Sequence, residues 1–332
     1  MNRVRPFEPL TRNPHLLTIL ANFWPREYDF SGYPMERRLV QTDPDTQVLV
    51  QTQFPQGKPV GEVVLLHGLE GGGDSGYNVS MAWHALEAGL VVHRFHMRTC
   101  GGTEKLCKTL YHAGLTSDLR SFLEQTSAEG RGLPIFLIGF SLGGNVALKL
   151  AGELGTSSLI HGVCAVSTPI DLAASARRIA GRDNFLYERR FVTRMKARLI
   201  GTGRYKESDF QGARTIFDID NVITAPSFGM GNAENYYRTQ SSQNFLGEIR
   251  VPGLLIQAKD DTFIPFESFG HPALRSNPQL RLLAPGHGGH VGFLAKTGQR
   301  FWVDEAALGF IGDVLGVRMP VASGNASGKS GR

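Results

Sequence analysis

Residues 135–150 place the strongest constraint on the fold of this chain. An apolar run over residues 135–140 predicts a short buried strand, and apolar residues at helical spacing follow it. Between them, residues 139–143 read Gly-Phe-Ser-Leu-Gly, which matches the pattern Gly-x-Ser-x-Gly. A strand, a tight turn and a helix in this order are typical of a nucleophile elbow, in which the turn lifts the hydroxyl of Ser141 clear of the sheet.

The two glycines of this pattern predict a strained turn. Side chains at positions 139 and 143 would clash with neighbouring backbone, and the serine itself would have an unfavourable backbone conformation. The N–H groups at the start of the next helix would favour a developing negative charge. The alternative is a glycine-rich turn with an incidental serine, because the chain contains 40 glycines. The flanking strand and helix favour the catalytic interpretation of Ser141.

Short apolar runs alternate with helical patterns along much of the chain, which predicts a mostly parallel, doubly wound α/β sheet. Residues 36–41 and 47–54 instead alternate apolar and polar side chains, which predicts an antiparallel hairpin at the sheet edge. This rhythm stops between residues 168 and 247. We therefore expect four parts: a surface segment at 1–34, a catalytic domain at 35–167 and 248–319, an inserted cap at 168–247 and a disordered tail at 320–332.

Composition excludes several classes of protein. The three cysteines are odd in number and lack metal-binding spacing, which favours a reducing compartment over a disulfide framework. No apolar stretch has the length of a membrane span or of a signal-peptide core. The net charge of +5 is too small to indicate a nucleic-acid partner. These features predict a cytoplasmic protein.

Three polar side chains follow predicted strands in the order Ser141, Asp261, His290. Because the carboxyl ends of parallel strands share one edge of a sheet, their loops converge. An imidazole can take the proton of a serine hydroxyl, and a buried carboxylate can fix the tautomer of that imidazole. The alternatives are that Asp261 caps a helix and that His290 is an ordinary turn residue. Of the neighbours Asp260 and Asp261, only one can face His290, and the other would face the cap or bind backbone N–H groups of its own turn.

A second loop completes the predicted site. Residues 67–69 follow the first central strand, so the backbone N–H of Leu69 can join that of Leu142 as a donor to an oxyanion. The alternative is a simple glycine-rich connector. Residues 71–76 lack the Gly-Lys-Ser/Thr ending of a phosphate loop, and residues 287–290 match no zinc pattern. We therefore expect neither a cofactor nor a metal.

The predicted cap is strongly basic. Ten lysines and arginines between Arg177 and Lys206 face two acids, a net charge of +8 in a chain whose total is +5. Apolar residues recur within it at helical spacing: Tyr187, Phe191, Val192, Met195 and Leu199. Such a helix can make a weak peripheral contact with an anionic membrane, or it can pack its apolar face on the catalytic domain. We favour packing.

Several short motifs together resemble one family, the YheT-like branch of the α/β hydrolases. They are His-Gly-Leu-Glu-Gly at 67–71, Met-Arg-Thr-Cys-Gly-Gly-Thr at 97–103, Gly-Phe-Ser-Leu-Gly-Gly-Asn at 139–145, the acid pair at 260–261 and Gly-His-Val-Gly-Phe at 289–293. The resemblance spans residues 7–315 and implies an α/β-hydrolase fold with serine-hydrolase activity on carboxylic esters, lipid esters among them. It also favours Asp261, four residues before Pro265, as the acid. Thr99 and Thr262 depart from the family's usual glycine and proline.

The sequence therefore predicts a serine esterase that acts through an acyl-enzyme on a small-molecule or lipid ester. Acyl transfer to an alcohol is an alternative, because it uses the same acyl-enzyme. A non-catalytic binding protein on the same fold is a second alternative, although a binder has no need of all three polar groups.

Overall fold

A computed structural model describes residues 4–320 of the chain. Except for residue 320, the expected disordered tail lies outside this range, as do residues 1–3. The described part contains one eight-stranded sheet in the order β1-β2-β4-β3-β5-β6-β7-β8. Its strands are β1 (Met35–Asp43), β2 (Thr46–Gln53), β3 (Gly61–Leu66), β4 (Leu90–Phe95), β5 (Ile135–Phe140), β6 (Gly162–Val166), β7 (Gly253–Ile256) and β8 (Leu280–Leu283).

The sheet is parallel except at one edge. Strands β3 to β8 pair in parallel, whereas β1 and β2 form an antiparallel hairpin that joins the sheet through β4. This is the mostly parallel sheet with an edge hairpin that the sequence predicts. The carboxyl ends of β5, β6 and β7 consequently lie side by side, and the loops that follow them meet at one edge.

Helices cover both faces of the sheet. Those described are α1 (Pro14–Phe23), α2 (Gly76–Glu87), α3 (Ser117–Ala128), α4 (Leu142–Leu154), α5 (Leu172–Ile179), α6 (Phe185–Gly201), α7 (Ile216–Ile219), α8 (Ala225–Ser227), α9 (Ala233–Gln240), α10 (Ala273–Ser276) and α11 (Trp302–Leu315). Within residues 4–320, no helix combines the length and the apolar character needed to cross a membrane.

Two apolar cores form because successive side chains of a strand point to opposite faces. In β3, Val63 and Leu65 pack in the core that includes residues of α2 and α11. Val64 and Leu66 point the other way, into the core with α3 and α4. All four side chains are fully buried, which explains why this strand reads as an uninterrupted apolar run.

The N-terminal segment contains a helix that the sequence analysis did not assign. Helix α1 begins after Asn13, whose side-chain oxygen accepts a hydrogen bond from the N–H of Leu16 at 3.1 Å, and Pro14 occupies its first position. Both residues are typical helix-start signals. Leu17 is fully buried, so the helix is anchored to the domain.

Residues 168–247, here called the inserted segment, fold into the helices α5 to α9 between β6 and β7. The apolar stripe of α6 points inward. Val192, Met195 and Leu199 are buried and pack against Ile216 and Ile219 of α7. These three residues of the five-residue stripe therefore pack inside the protein, against the inserted segment's own helix α7.

Candidate active site

The strand-to-helix turn at Ser141 has the strained geometry that its glycines predict. Ser141 has φ 52° and ψ −123°, a backbone region that side chains rarely adopt. A Cβ atom on Gly143 would lie 2.5 Å from the carbonyl oxygen of Leu66, and one on Gly139 would collide with the backbone of Gly143. Helix α4 begins at Leu142, directly after the serine, so its first N–H groups lie beside the Ser141 hydroxyl.

The structure brings Ser141, His290 and Asp261 into one hydrogen-bonded chain. The Nε2 atom of His290 lies 3.0 Å from the Oγ atom of Ser141. Its Nδ1 atom lies 3.1 Å from each carboxylate oxygen of Asp261. These three side chains come from the loops after β5, β7 and β8, which the parallel sheet places at one edge. In this arrangement Nδ1–H donates to the carboxylate, which leaves Nε2 free to accept the serine proton.

Backbone and side-chain donors hold the Asp261 carboxylate in place. One oxygen accepts hydrogen bonds from the N–H groups of Phe263 at 2.8 Å and Ile264 at 3.1 Å. The other accepts from the amide of Gln257 at 3.0 Å. The side chain of Asp261 is buried, so its carboxylate binds His290 without contact with solvent. Although Thr262 replaces the family's usual proline, this loop still directs Asp261 at His290.

Asp260 binds the histidine loop, which differs from the expectation that it would face the cap or its own turn. Its carboxylate accepts from the N–H of Gly289 at 3.0 Å and lies 3.0 Å from Nδ1 of His287. His287 and His290 therefore serve different aspartates. Among residues 4–320, no three histidine, cysteine or acidic side chains group as a metal ion would require.

Helix α1 also positions the histidine loop. The hydroxyl of Thr18 accepts a hydrogen bond from the N–H of His290 at 2.9 Å. On the other side, the hydroxyl of Ser167 accepts from the N–H of Val291, which has a φ of 54°. The ring of Phe263 packs on the imidazole of His290 with 4.5 Å between centroids. The histidine loop, with its imidazole, is thus held by contacts from three separate parts of the chain.

The two predicted oxyanion donors line the same cavity as Ser141. Neither the N–H of Leu69 nor that of Leu142 donates to another group within residues 4–320, whereas the flanking N–H groups of Gly68 and Glu70 bind the hydroxyls of Tyr77 and Tyr111. The loop therefore leaves Leu69 as its available donor beside the site.

His67 supports this loop from beneath and takes no place in the hydrogen-bonded chain. Its Nδ1–H donates to the carbonyl of Gly68 at 2.8 Å, and its Nε2 accepts from the N–H of Met97 at 3.1 Å. Complete burial lowers the pKa of His67 to about 3, so the ring is neutral at physiological pH.

Two cavities meet at Ser141. The inner cavity extends beneath the inserted segment and has a largely apolar lining that includes Leu172, Ala176, Ile179 and Met195. The outer cleft opens between α1, the glycine-rich loop after β3 and α6. The shared boundary consists of Leu69, Ser141, Phe191, Phe263 and His290.

Comparison with known proteins identifies the family of this chain. The sequence profile of the Alpha/beta hydrolase family matches residues 63–301. The chain belongs to the α/β hydrolases. It is 31% identical to YheT of Escherichia coli, over 86% of this chain and 85% of that protein, which places it in the YheT-like branch. It is 28% identical to a monoacylglycerol lipase of Saccharomyces cerevisiae, over 83% of this chain and 63% of that protein. An esterase structure from Pyrococcus furiosus shares the fold, with a TM-score of 0.53 and 18% identity over 87% of this chain and 91% of that one.

This α/β hydrolase carries a buried ion pair that the sequence analysis missed. The guanidinium of Arg198, on α6, binds both oxygens of Glu70 at 2.9 and 3.1 Å and lies over the ring of Tyr111. It also donates to the hydroxyl of Thr99 at 2.8 Å. Thr99 occupies the family's glycine position with a φ of 60°, so here a side chain at this strained position is bound by Arg198.

The pair links the inserted segment to the glycine-rich loop. Burial lowers the pKa of Arg198, but the neighbouring Tyr111 and Glu70 raise it by more, so the guanidinium stays charged. Because Glu70 directly follows Leu69, the salt bridge fixes the backbone next to the proposed oxyanion donor. No local sequence signal identifies Arg198 among ten basic residues, because its partner lies 128 positions away.

A second polar pair lies on the wall of the inner cavity. The carboxylate of Asp220 accepts a hydrogen bond from the hydroxyl of Tyr237 at 2.7 Å. Burial raises the pKa of Asp220 to about 6, which favours its neutral form more than usual. Arg198 and Asp220 both have hydrogen-bond partners within the protein, so neither presents an unpaired polar group to the cavity. The rest of the lining is largely apolar.

Proposed function

We propose that this α/β hydrolase is a carboxylic ester hydrolase that acts through Ser141, His290 and Asp261. The observation that supports the proposal most strongly is the unbroken chain of hydrogen bonds from Asp261 through His290 to a serine on a strained elbow. Alone, a serine hydroxyl is a weak nucleophile, and an imidazole oriented by a carboxylate is the usual means of activating it.

The proposed mechanism gives each group a role. Ser141 Oγ attacks the ester carbonyl while Nε2 of His290 takes its proton. The N–H groups of Leu69 and Leu142 bind the oxyanion that forms. The imidazolium, stabilised by Asp261, then protonates the leaving alcohol, and an acyl-enzyme remains. A water molecule deacylates the enzyme by the same steps in reverse, with His290 again as the base.

The inner cavity is the proposed acyl pocket. Its apolar lining suits a hydrocarbon chain, and the inserted segment covers it as a cap. The leaving alcohol would then lie in the outer cleft. The lipase activity in the name of the yeast relative supports a lipid ester as substrate.

Replacing Ala176 with phenylalanine is expected to shorten the acyl chain that the enzyme accepts. Ala176 lies on α5 and lines the inner cavity, so the added ring occupies space for the acyl group. Each excluded methylene removes about 0.8 kcal/mol of transfer free energy, so losing two of them lowers kcat/KM roughly tenfold. The measurement compares p-nitrophenyl butyrate with p-nitrophenyl decanoate, and only the second ester should be affected.

The matched control is Ala197→Phe, which makes the same change at an exposed position of α6. It should leave both esters unchanged. If neither the parent protein nor the Ala197→Phe control hydrolysed any ester of the series, the proposed function would be wrong. An equal loss for both esters in Ala176→Phe would instead contradict the acyl pocket alone.

A further inference from the structure

The mouth of the outer cleft exposes large apolar side chains. Helix α1 buries Leu17 and Ala21, but four side chains at positions 16, 19, 20 and 23 form an exposed stripe of leucine, isoleucine and phenylalanine. Phe23 is 70% exposed. The first two residues of α6, Phe185 and Leu186, are also exposed, Leu186 to 76%. We call these six residues the rim patch: Leu16, Ile19, Leu20, Phe23, Phe185 and Leu186.

The two helices of the rim patch are neighbours. The ring of His15 on α1 stacks on that of Tyr187 on α6, with 5.8 Å between centroids and 10° between planes. Both helices also line the outer cleft, α1 through Ile19 and Phe23 and α6 through Tyr187 and Arg190. The rim patch therefore borders the opening that leads to Ser141.

Unpaired arginines flank the rim patch. Four of them are exposed and form no ion pair within residues 4–320: Arg182, Arg189, Arg190 and Arg194. The two acids of this region do not neutralise them. Asp183 binds Arg178 at 2.7 Å, and Glu188 is buried and accepts from the N–H of Ile216 at 3.3 Å. The flank is consequently a surface of net positive charge.

We infer that the rim patch and its arginines bind the surface of an anionic lipid membrane. Contiguous exposed apolar side chains with a basic border are the composition of interfacial membrane-binding surfaces, because the apolar groups enter the interface while the cations bind anionic headgroups. The outer cleft would then open onto the lipid. This surface keeps the basic residues considered from the sequence but differs in its apolar part. Val192, Met195 and Leu199 of the expected stripe are buried, and the exposed apolar side chains are those of the rim patch.

Charge argues against a second copy of the chain as the occupant. A two-fold interface would place the same surface on both partners and bring the two arginine flanks together. The chain's own C-terminus is also a poor occupant, because Val321 is the only large apolar residue in residues 321–332. An anionic lipid surface complements both the apolar and the cationic parts of the rim.

The test is co-sedimentation of the full chain, as the Ser141→Ala variant, with lipid vesicles. Vesicle binding by this variant does not require ester hydrolysis. The binding result can therefore be distinguished from a failure of the proposed function. Vesicles of phosphatidylcholine with about one third phosphatidylglycerol are expected to bind the protein, and pure phosphatidylcholine to bind it at least tenfold more weakly. Raising sodium chloride from about 50 mM to about 500 mM should also weaken binding.

Replacing Leu20, Phe185 and Leu186 together with serine should lower the apparent affinity at least tenfold. All three are exposed and outside the lining of both cavities, so folding should be retained, and the same triple change in a chain that keeps Ser141 should retain soluble-ester hydrolysis. The matched control is Val60→Ser. Val60 is an exposed apolar residue directly before β3, at the end of that strand away from the site. It should bind vesicles as the parent does.

Absence of binding to the anionic vesicles at low salt would overturn the inference, and so would unchanged binding by the triple variant. Equal binding to both kinds of vesicle would contradict the role of the arginines. A dimer that forms in the parent and is lost in the triple variant, with no vesicle binding, would identify a second copy as the occupant.

Discussion

Replacing Ser141 with alanine is expected to lower kcat for ester hydrolysis by roughly 10⁴-fold to 10⁶-fold. The substitution removes the only nucleophile in the proposed mechanism, and His290 and Asp261 cannot replace it. The fold should be unaffected, because alanine lacks only the hydroxyl, whose hydrogen-bond partner is His290 Nε2. The measurement is kcat on p-nitrophenyl butyrate, with the thermal midpoint as a check on folding.

A matched control is available in Ser75→Ala. This serine precedes α2 and bonds to the N–H of Gly72, so it belongs to the glycine-rich loop and not to the hydrogen-bonded chain. It should change kcat by less than about tenfold. Activity of Ser141→Ala within tenfold of the parent would contradict the assignment of the nucleophile.

Asparagine substitutions at the two adjacent aspartates are expected to have very different effects. Asp261→Asn should lower kcat by about 10⁴-fold, because an amide cannot hold His290 in the tautomer that accepts the serine proton. Asp260→Asn should change kcat by less than about tenfold, because Asp260 binds the N–H of Gly289 and the ring of His287 instead. Each substitution keeps the shape of the side chain and removes its charge, so each is the control for the other.

Stability should separate the two variants as well. Asp260 ties the loop after β7 to the histidine loop, so Asp260→Asn is expected to destabilise the fold by about 1 kcal/mol, the usual effect of one altered hydrogen bond. Urea unfolding of both variants measures this. If Asp260→Asn abolished activity while Asp261→Asn remained active, the acid would be Asp260 and the observed 3.1 Å contact would not be the functional one.

The residues of the hydrogen-bonded chain could be predicted because each follows a strand of the parallel part of the sheet. Ser141 lies between an apolar run and a helical pattern, and the parallel direction of the strands places its loop at the same edge of the sheet as those of Asp261 and His290. The alternation of side chains along an extended segment shows only that Asp260 and Asp261 point in opposite directions. It does not show which of the two faces His290, so it could not identify the acid. In the structure, the N–H groups of Phe263 and Ile264 hold the carboxylate of Asp261 toward His290, and they act through a turn that has no periodic pattern.

Contacts between distant parts of the chain could not be predicted. The salt bridge between Glu70 and Arg198 and the hydrogen bond between Thr18 and His290 each join segments more than a hundred residues apart. Helix α1 was missed for a different reason. Apolar residues occupy both its buried and its exposed face, so the segment lacks the single apolar stripe of an amphipathic helix, although Asn13 and Pro14 mark its start.

In the proposed mechanism, His290 activates Ser141 as a nucleophile. Reaction of the intact protein with a fluorophosphonate tests it most directly, because Oγ must attack phosphorus and displace fluoride while His290 takes the proton. Mass spectrometry is expected to show one adduct per chain, located at Ser141, in step with complete loss of esterase activity and absent from Ser141→Ala. Loss of activity with the adduct on another residue, or full hydrolysis by a protein that forms no adduct, would contradict the account.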